Sequence, residues 1–540
     1  MNQFTSYSGA VPKKNHFNLS HVAKLTCNMG YLVPVLVQDV IPNDTFKLSI
    51  GSLIRFAPLR APMMAECDVY FHAFFVPDRI IWEHAEEFFT GAYKGRMLAP
   101  EDYPEKPYFS IGHKNIDLIS SGSLADYLGF QSYSDPDNLL ENGVWELDAA
   151  PFKAYQQIYF DYYADENLVL TNALDVFEDS KDISGIIADS GSGSSSASSN
   201  TKLIRQLMKL QSRSWKKDYF TSALPWPQKG DDVVIPGGYP SNGILSGSIQ
   251  FGNSNGTSLS GDVSIGNKVD FPSGAKYILS ANGINLDTMR MNLNGDLSSA
   301  TIRDLRRAFA AQSFLERRAA GGSRYQEQNY AFFGIRGSDA RLQRAEYLGG
   351  LKQNVVVSQL LQTSETTSSS PLGTPAGNAT SAGSDFIFKR TFNEYGWIMV
   401  IMSIMPRADY MEGIPRMYMR KDVYDYYWPQ FAKVGEQAIK NSELYYDPED
   451  HAINDGTFGY TPRYAEYRFR NNRIHGDFKG SLNFWTLARS FDSAPALNNN
   501  FVECHPSNRI FAVTDSNIDH CWCEVAFRLD ALRPVTKTGN

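Results

Sequence analysis

The sequence predicts a mainly β fold of the sandwich or jelly-roll kind, interrupted by long loop and helical insertions. Three observations lead there. Strand-like runs rich in β-branched and aromatic residues lie near both ends of the chain. Loop-rich segments separate them, as happens when strands adjacent in a sheet are distant in sequence. No fixed-period internal repeat is visible, which argues against a propeller or solenoid.

Residues 31–81 read as β. In YLVPVLVQDVIPNDTFKLSIGSLIRF the β-branched runs break at Pro42-Asn43-Asp44, a turn signal. DVYFHAFFVPDRII (68–81) mixes aromatic and β-branched residues up to Pro77-Asp78, the pattern of a strand buried on both faces or of a strand in a sandwich core. Residues 83–200 mix loop and helix: after Pro151, Tyr155, Ile158, Tyr159 and Tyr162 recur at helical spacing. SGSGSSSASSN (190–200) can bury nothing and is expected to be a flexible surface loop. Residues 231–300 are rich in Gly, Asn and Ser, with six Asp against Lys268, Lys276 and Arg290. Their recurrent turn signals predict an insertion outside the main core.

A helix is expected to start at Thr301 with Asp304, a pair resembling a capping box. Ile302, Leu305, Phe309 and Leu315 form its apolar side, and Gly321-Gly322 stops it. Ser, Thr, Gly and Pro dominate 363–385, so an exposed loop is expected there. FIFKRTFNEYGWIMVIMSIMPR carries the strongest strand signal in the chain. CWCEVAFRLDALRP supplies a last strand, with alternating apolar residues at Trp522, Val525 and Phe527. The expected organisation is an N-terminal arm at 1–30, core at 31–230, a surface insertion at 231–300 and the rest of the core at 301–540.

Composition limits the function. The chain has 540 residues, 42% apolar and 13% aromatic, so a large core is possible and global disorder is excluded. Its 29 Tyr, 33 Phe and 8 Trp suit either broad, partly wet protein contacts or a tyrosine-rich β core. A net charge of −8 is wrong for a protein that coats nucleic acid unaided; local basic patches or a separate cationic partner would be needed. Cys27, Cys67, Cys504, Cys521 and Cys523 are odd in number and dispersed, so no disulfide framework is implied and a reducing cytoplasm is expected. The first residues carry no apolar signal region, and WIMVIMSIM (397–405) is too short to span a bilayer. The Asn18, Asn255 and Asn378 sequons are expected to be chance matches.

The search for catalytic chemistry returns nothing. His84 lacks the second His of a zincin motif, and Glu86 and Glu87 point apart on a helix. Cys504, His505, His520, Cys521 and Cys523 are the best metal candidates. Yet C-x-C in a strand sends both thiols to one face and Trp522 to the other, so two small buried hydrophobes are expected and no metal or cofactor. Basic clusters say more. Residues 301–350 hold nine Arg and five acids; Arg303, Arg306, Arg307, Arg317, Arg318 and Arg324 suit intersubunit or internal salt bridges. Arg463, Arg468, Arg470 and Arg473 alternate with Tyr460, Tyr464, Tyr467 and Phe469, so they could hold phosphates and stack on unpaired bases, or anchor a protein interface. Lys13 and Lys14 are candidate DNA contacts or a solvated tail.

Six blocks then bear on family: NLSHVAKLTCNMGYLVPVLVQDVIPNDTFKL (18–48), DYFTSALPWPQKG (218–230), FLERRAAGGSRYQE (314–327), GSDARLQRAEYLGG (337–350), PRMYMRKDVYDYYWPQFAKVGEQAI (415–439) and FGYTPRYAEYRFRNNRIHGDF (458–478). In this order they resemble the major capsid proteins of the Microviridae, especially the gokushovirus-like branch. The resemblance implies an eight-stranded antiparallel jelly roll with large insertions. Sixty copies would close a T=1 icosahedral shell around circular single-stranded DNA. It further implies a protrusion at each three-fold axis from 231–300, and a small basic protein that neutralises the DNA. An internal scaffolding protein, a DNA-pilot protein and a host surface receptor are further implied partners, with assembly in a bacterial cytoplasm. The 190–200 and 363–385 segments and the RPVTKTGN ending depart from the family pattern.

On this reading Tyr219, Phe220, Trp226, Arg416, Tyr426, Trp428 and Tyr464 are candidate subunit-interface anchors, with core packing as the alternative. Asn253, Asn255, Asn267 and Tyr277 are candidate host-attachment residues on a variable loop. Two other classes share the β content and aromatics: a secreted carbohydrate-binding jelly roll or adhesin, and a polysaccharide-processing enzyme. The first needs a signal peptide and the second paired acids in a cleft.

Overall fold

The computed structural model describes residues 13–537, apart from 94–95, 98, 100–102, 132–143, 169–176, 178–185, 189–194, 232, 234–246, 253–257, 264–301, 323, 336, 362–374, 433 and 516. The chain forms two compact units, one of residues 1–227 with 319–540, the other Gln228–Arg318. In the second unit the described elements are a hairpin of Gly247–Gly252 with Ser258–Val263, and most of the helix Ile302–Ala320.

The first unit is built on strands β1 (Asn15–Asn18), β2 (His21–Cys27), β3 (Val33–Val40), β4 (Thr45–Phe56), β5 (Cys67–Pro77), β6 (Glu346–Asn354), β7 (Val356–Leu361), β8 (Pro375–Thr391), β9 (Gly396–Pro406) and β10 (Cys521–Arg533). One sheet runs β1-β10-β4-β8-β7, with β2 also on β10; the other runs β6-β5-β9-β3. Every pairing within them is antiparallel. The chain is mainly β, as expected. Successive strands β2 to β5 and β8 to β10 alternate between the two sheets, so the chain builds an antiparallel sandwich whose neighbouring strands are distant in sequence.

Alternation in sequence explains the core. In TFKLSIGSLIRF the side chains of Phe46, Leu48, Ile50 and Ile54 point inward, and in CWCEVAFRLDALR those of Cys521, Cys523, Val525, Phe527 and Leu529 do. They meet Val69, Phe71 and Phe75 of β5 and Ile398 and Val400 of β9 in a single cluster. The turn before β4 closes as the Pro-Asn-Asp signal predicts: Asn43 takes φ 75°, and the buried Asp44 carboxylate accepts the Ile41 N–H at 3.0 Å and faces Arg533 Nε at 3.0 Å.

Strands β5 and β9 are buried on both faces. Their outward residues Phe74, Val76, Met399 and Ile401 pack under helix α1 (Ala150–Ile158), all of whose residues are buried. Tyr155 pins the helix down: its hydroxyl donates to the Leu32 carbonyl at 2.7 Å and accepts the Gln211 N–H at 3.0 Å.

Three expectations need correction. Residues 375–385 are not a loop but the first part of β8, in register with β4 from Thr380↔Arg55 onward; small polar residues carry no strand signal, and a ready partner strand supplies the pairing. The serine-rich tract turns helical at Ser195 and continues to Leu207, where Ile204 and Leu207 are buried and anchor it. Residues 15–27 are not a free arm, since β1 and β2 both pair with β10. The helix expected after Thr301 forms over Ile302–Ala320, with Ile302 74% and Phe309 64% exposed and Leu305 and Leu315 half-buried on its apolar side. Among the described residues no helix is long and apolar enough to cross a membrane.

Candidate functional site

Four of the seven candidate anchors, Arg416, Tyr426, Trp428 and Tyr464, belong to one region of the first unit, made by residues 410–440 and 457–473. A two-stranded ribbon, Glu436–Lys440 against Thr457–Pro462, frames it. Between Met411 and Glu436 the chain makes only short turns, and all ten residues 421–430 are exposed. The turns are nevertheless tied down. The Asp425 carboxylate accepts the N–H groups of Lys421 (2.8 Å) and Asp422 (3.0 Å), which lower its carboxyl pKa. The Trp428 indole donates to the Val423 carbonyl at 2.9 Å.

Rings and guanidinium groups knit this excursion to 463–469. Tyr427 lies 5.0 Å from Tyr464 and 6.0 Å from Tyr467, ring to ring. Arg420 stacks 4.4 Å from the Tyr467 ring and 5.3 Å from that of Tyr426, with Glu466 at 3.7 Å. Arg463 faces Phe431 and Tyr464. Tyr464 itself is only 5% exposed and takes φ 63°, a left-handed conformation that is rare for a tyrosine. Its N–H donates to Gln437 Oε1 at 3.0 Å, so the ribbon holds it in place.

Beneath this surface lies an ionic knot. Arg416 donates to the Ala438 carbonyl at 2.7 Å and to Glu443 at 3.1 Å, and Tyr219 donates to the other Glu443 oxygen at 2.9 Å. Burial raises the Glu443 carboxyl above its ordinary range, against the opposing pull of Arg416. Arg473 donates to the carbonyls of Glu412 and Gly413, and burial lowers its pKa.

The structure therefore divides the predicted residues. Tyr219, Phe220 and Tyr464 pack inside the chain, at 7%, 6% and 5% exposure, so core packing takes them and they are corrected as surface anchors. Arg416 is held in the knot, and Trp226 is half-buried. Tyr426 and Trp428 remain exposed. Of the candidate phosphate ligands, Arg463 and Arg473 are engaged internally, which corrects them as free cations. Arg468 and Arg470 are exposed, although Arg468 also donates to the Arg463 carbonyl. Lys13 is exposed and Lys14 donates to Thr45 Oγ1. Asn253, Asn255, Asn267 and Tyr277 lie outside the described residues.

Arg420 and Glu466 escape sequence reasoning, because single charges in a tyrosine-rich run carry no spacing signal. The cysteine and histidine candidates do not assemble. Cys504 packs with Trp215 and Met405, His505 binds Glu503, and His520 stacks on Phe511 while bonding Asn28 and the Val513 carbonyl. Among the described residues no group of three or more His, Cys, Asp or Glu could hold a metal ion.

Comparison with known proteins follows this geometry. The family described as "Capsid protein (F protein)" matches residues 7–540. Capsid protein VP1 of Chlamydia phage 1 is 32% identical, over 99% of this chain and 96% of its own length. Capsid protein VP1 of Bdellovibrio phage phiMH2K is 31% identical over 97% and 95%, and that of Spiroplasma virus 4 is 28% identical over 93% and 90%.

Proposed function

The chain belongs to the capsid protein (F protein) family, and from that premise we propose that it is the tile of a T=1 icosahedral shell of sixty copies enclosing circular single-stranded DNA. One observation carries the reading: the correspondence to capsid proteins runs nearly end to end in both partners. The exposed aromatic surface at 418–428 supports it, because a protein that functions alone seldom leaves so many large apolar groups in water. Closed symmetry then multiplies modest contacts into a stable shell.

The net charge of −8 sets a further requirement. Packaged DNA must be neutralised by something other than the bulk of this chain, and a small basic DNA-binding protein fills that role. Lys13 is the local cation assigned to the DNA. An internal scaffolding protein, a DNA-pilot protein and a host surface receptor complete the set of partners, with assembly in the bacterial cytoplasm. Residues 231–300 are assigned to the three-fold protrusion and, through Asn253, Asn255, Asn267 and Tyr277, to host attachment.

Negative-stain microscopy of the purified chain, expressed with its genome neighbours, tests the proposal. Uniform spherical particles are expected. A persistent monomer or an open aggregate would end it.

A further inference from the structure

We propose that the aromatic platform of residues 418–431 and 467–469 is the seat of a second copy of this chain. The inference rests on the shell reading and names the surface that makes the contact. Seven aromatic side chains, those of 418–428 with Tyr467 and Phe469, are 44–72% exposed. A Phe, Tyr or Trp presents about 150–250 Å², so these seven leave on the order of 800 Å² uncovered. That is about one partner's share of a standard specific interface. The platform is also rigid before it binds. The Asp425 turn, the Trp428 indole bond and the Arg420 stack hold the rings in place, which lowers the ordering cost of association.

Charge selects the occupant. Residues 415–434 and 463–473 together carry eight Lys or Arg against three Asp or Glu, so the remainder of a chain at −8 stands at −13. A second copy is therefore acidic on balance outside this platform, opposite in sign to the basic, aromatic surface it would meet. Single-stranded DNA fits less well. Arg416, Arg420, Arg463 and Arg473 are already engaged by carboxylates, rings or carbonyls, so the rings are free while most of the guanidinium groups are not. A phosphate backbone needs the reverse.

Tyr424→Ala combined with Phe469→Ala tests this in the full chain, since both rings are more than 60% exposed and the fold does not depend on them. The double variant is expected to keep the wild-type melting transition. In sedimentation velocity, the protein concentration at which particles appear should rise at least about ten-fold, equivalent to roughly 1.4 kcal/mol per contact. Assembly at the wild-type concentration overturns the proposal. Normal particles with lower DNA content overturn it in favour of a nucleic-acid surface. If the wild-type chain itself forms no particles, the shell reading fails instead, so the two failures are distinguishable.

Discussion

The two sheets of the sandwich share one core but differ in what lies behind them. The β6-β5-β9-β3 sheet carries α1 and its neighbours on its outer side, and β9 shows only Trp397 to solvent in part. The β1-β10-β4-β8-β7 sheet has a largely bare outer side, with Val22, Leu53, Phe386 and Trp522 all at least 36% exposed. Their sequences differ accordingly: WIMVIMSIM is a continuous apolar run, whereas CWCEVAFRL alternates. A strand packed on both faces meets neighbours at every residue, and a one-sided strand at every second. Tolerance to substitution should follow that difference.

Tyr155→Ala should give the largest effect, about 3–5 kcal/mol of lost stability in urea unfolding, because it empties a fully buried site and orphans two backbone groups. A loss below about 1 kcal/mol would mean that the helix does not stabilise the sheet beneath it.

The covered side of β5 also predicts a pH signature. Burial, reinforced by the Arg213 guanidinium, lowers His72 to about 4, while Tyr163 bonds its ring at 2.7 Å. The folded pKa lies below the unfolded value of about 6.5. This contribution is therefore complete above pH 6.5 and is lost as pH falls toward 4, by an amount on the order of 3 kcal/mol. Asp78, raised by burial to about 6 against the pull of Lys106, has the opposite sign: it favours the fold at low pH and loses that contribution as pH rises through 6. His72→Gln should abolish the acid-side loss and Asp78→Asn the opposing slope. Parallel stability–pH curves for wild type and His72→Gln would refute the assignment.

Two glycines sharpen the contrast further. A Cβ on Gly396 of β9 would sit 2.4 Å from the Val76 carbonyl oxygen, whereas one on Gly51 of β4 would rest 3.6 Å from Ser384 Cβ. Gly396→Ala should cost about 1–3 kcal/mol, and Gly51→Ala should be neutral or stabilising by up to about 1 kcal/mol. The smallest effect is expected for Trp522→Ala on the bare face, within about 0.5 kcal/mol by thermal melts of the unassembled chain. A loss as large as that of Tyr155→Ala would show that the face is not bare.

Much of this arrangement was legible beforehand. The β-branched runs broken at Pro42-Asn43-Asp44 marked β3 and β4, and the Cys-Trp-Cys spacing set both thiols inward and Trp522 outward. Trp522 was also grouped with Val525 and Phe527 as one apolar alternation, but it lies on the opposite face from them. Mixed aromatic and β-branched runs marked β5 as a strand, and of the two settings they allow the structure takes the one buried on both sides. The start of β8 was not legible, because Ala, Gly, Ser and Asn become a strand only when β4 stands beside them. Nor could sequence separate Tyr219, Phe220 and Tyr464, which sank into the chain, from Tyr426 and Trp428, which did not. All are large aromatics, and each could end on either side of a surface.

By itself, then, the sequence determined the fold class, the turn at Asn43, the inward faces of the alternating strands and the family resemblance, because these depend on local period and residue type. Only the tertiary structure decided which aromatics face water, that Arg420 and Glu466 bind two distant segments, and which arginines remain free. Burial and ion pairing depend on neighbours up to hundreds of residues away, and no local pattern encodes their arrival.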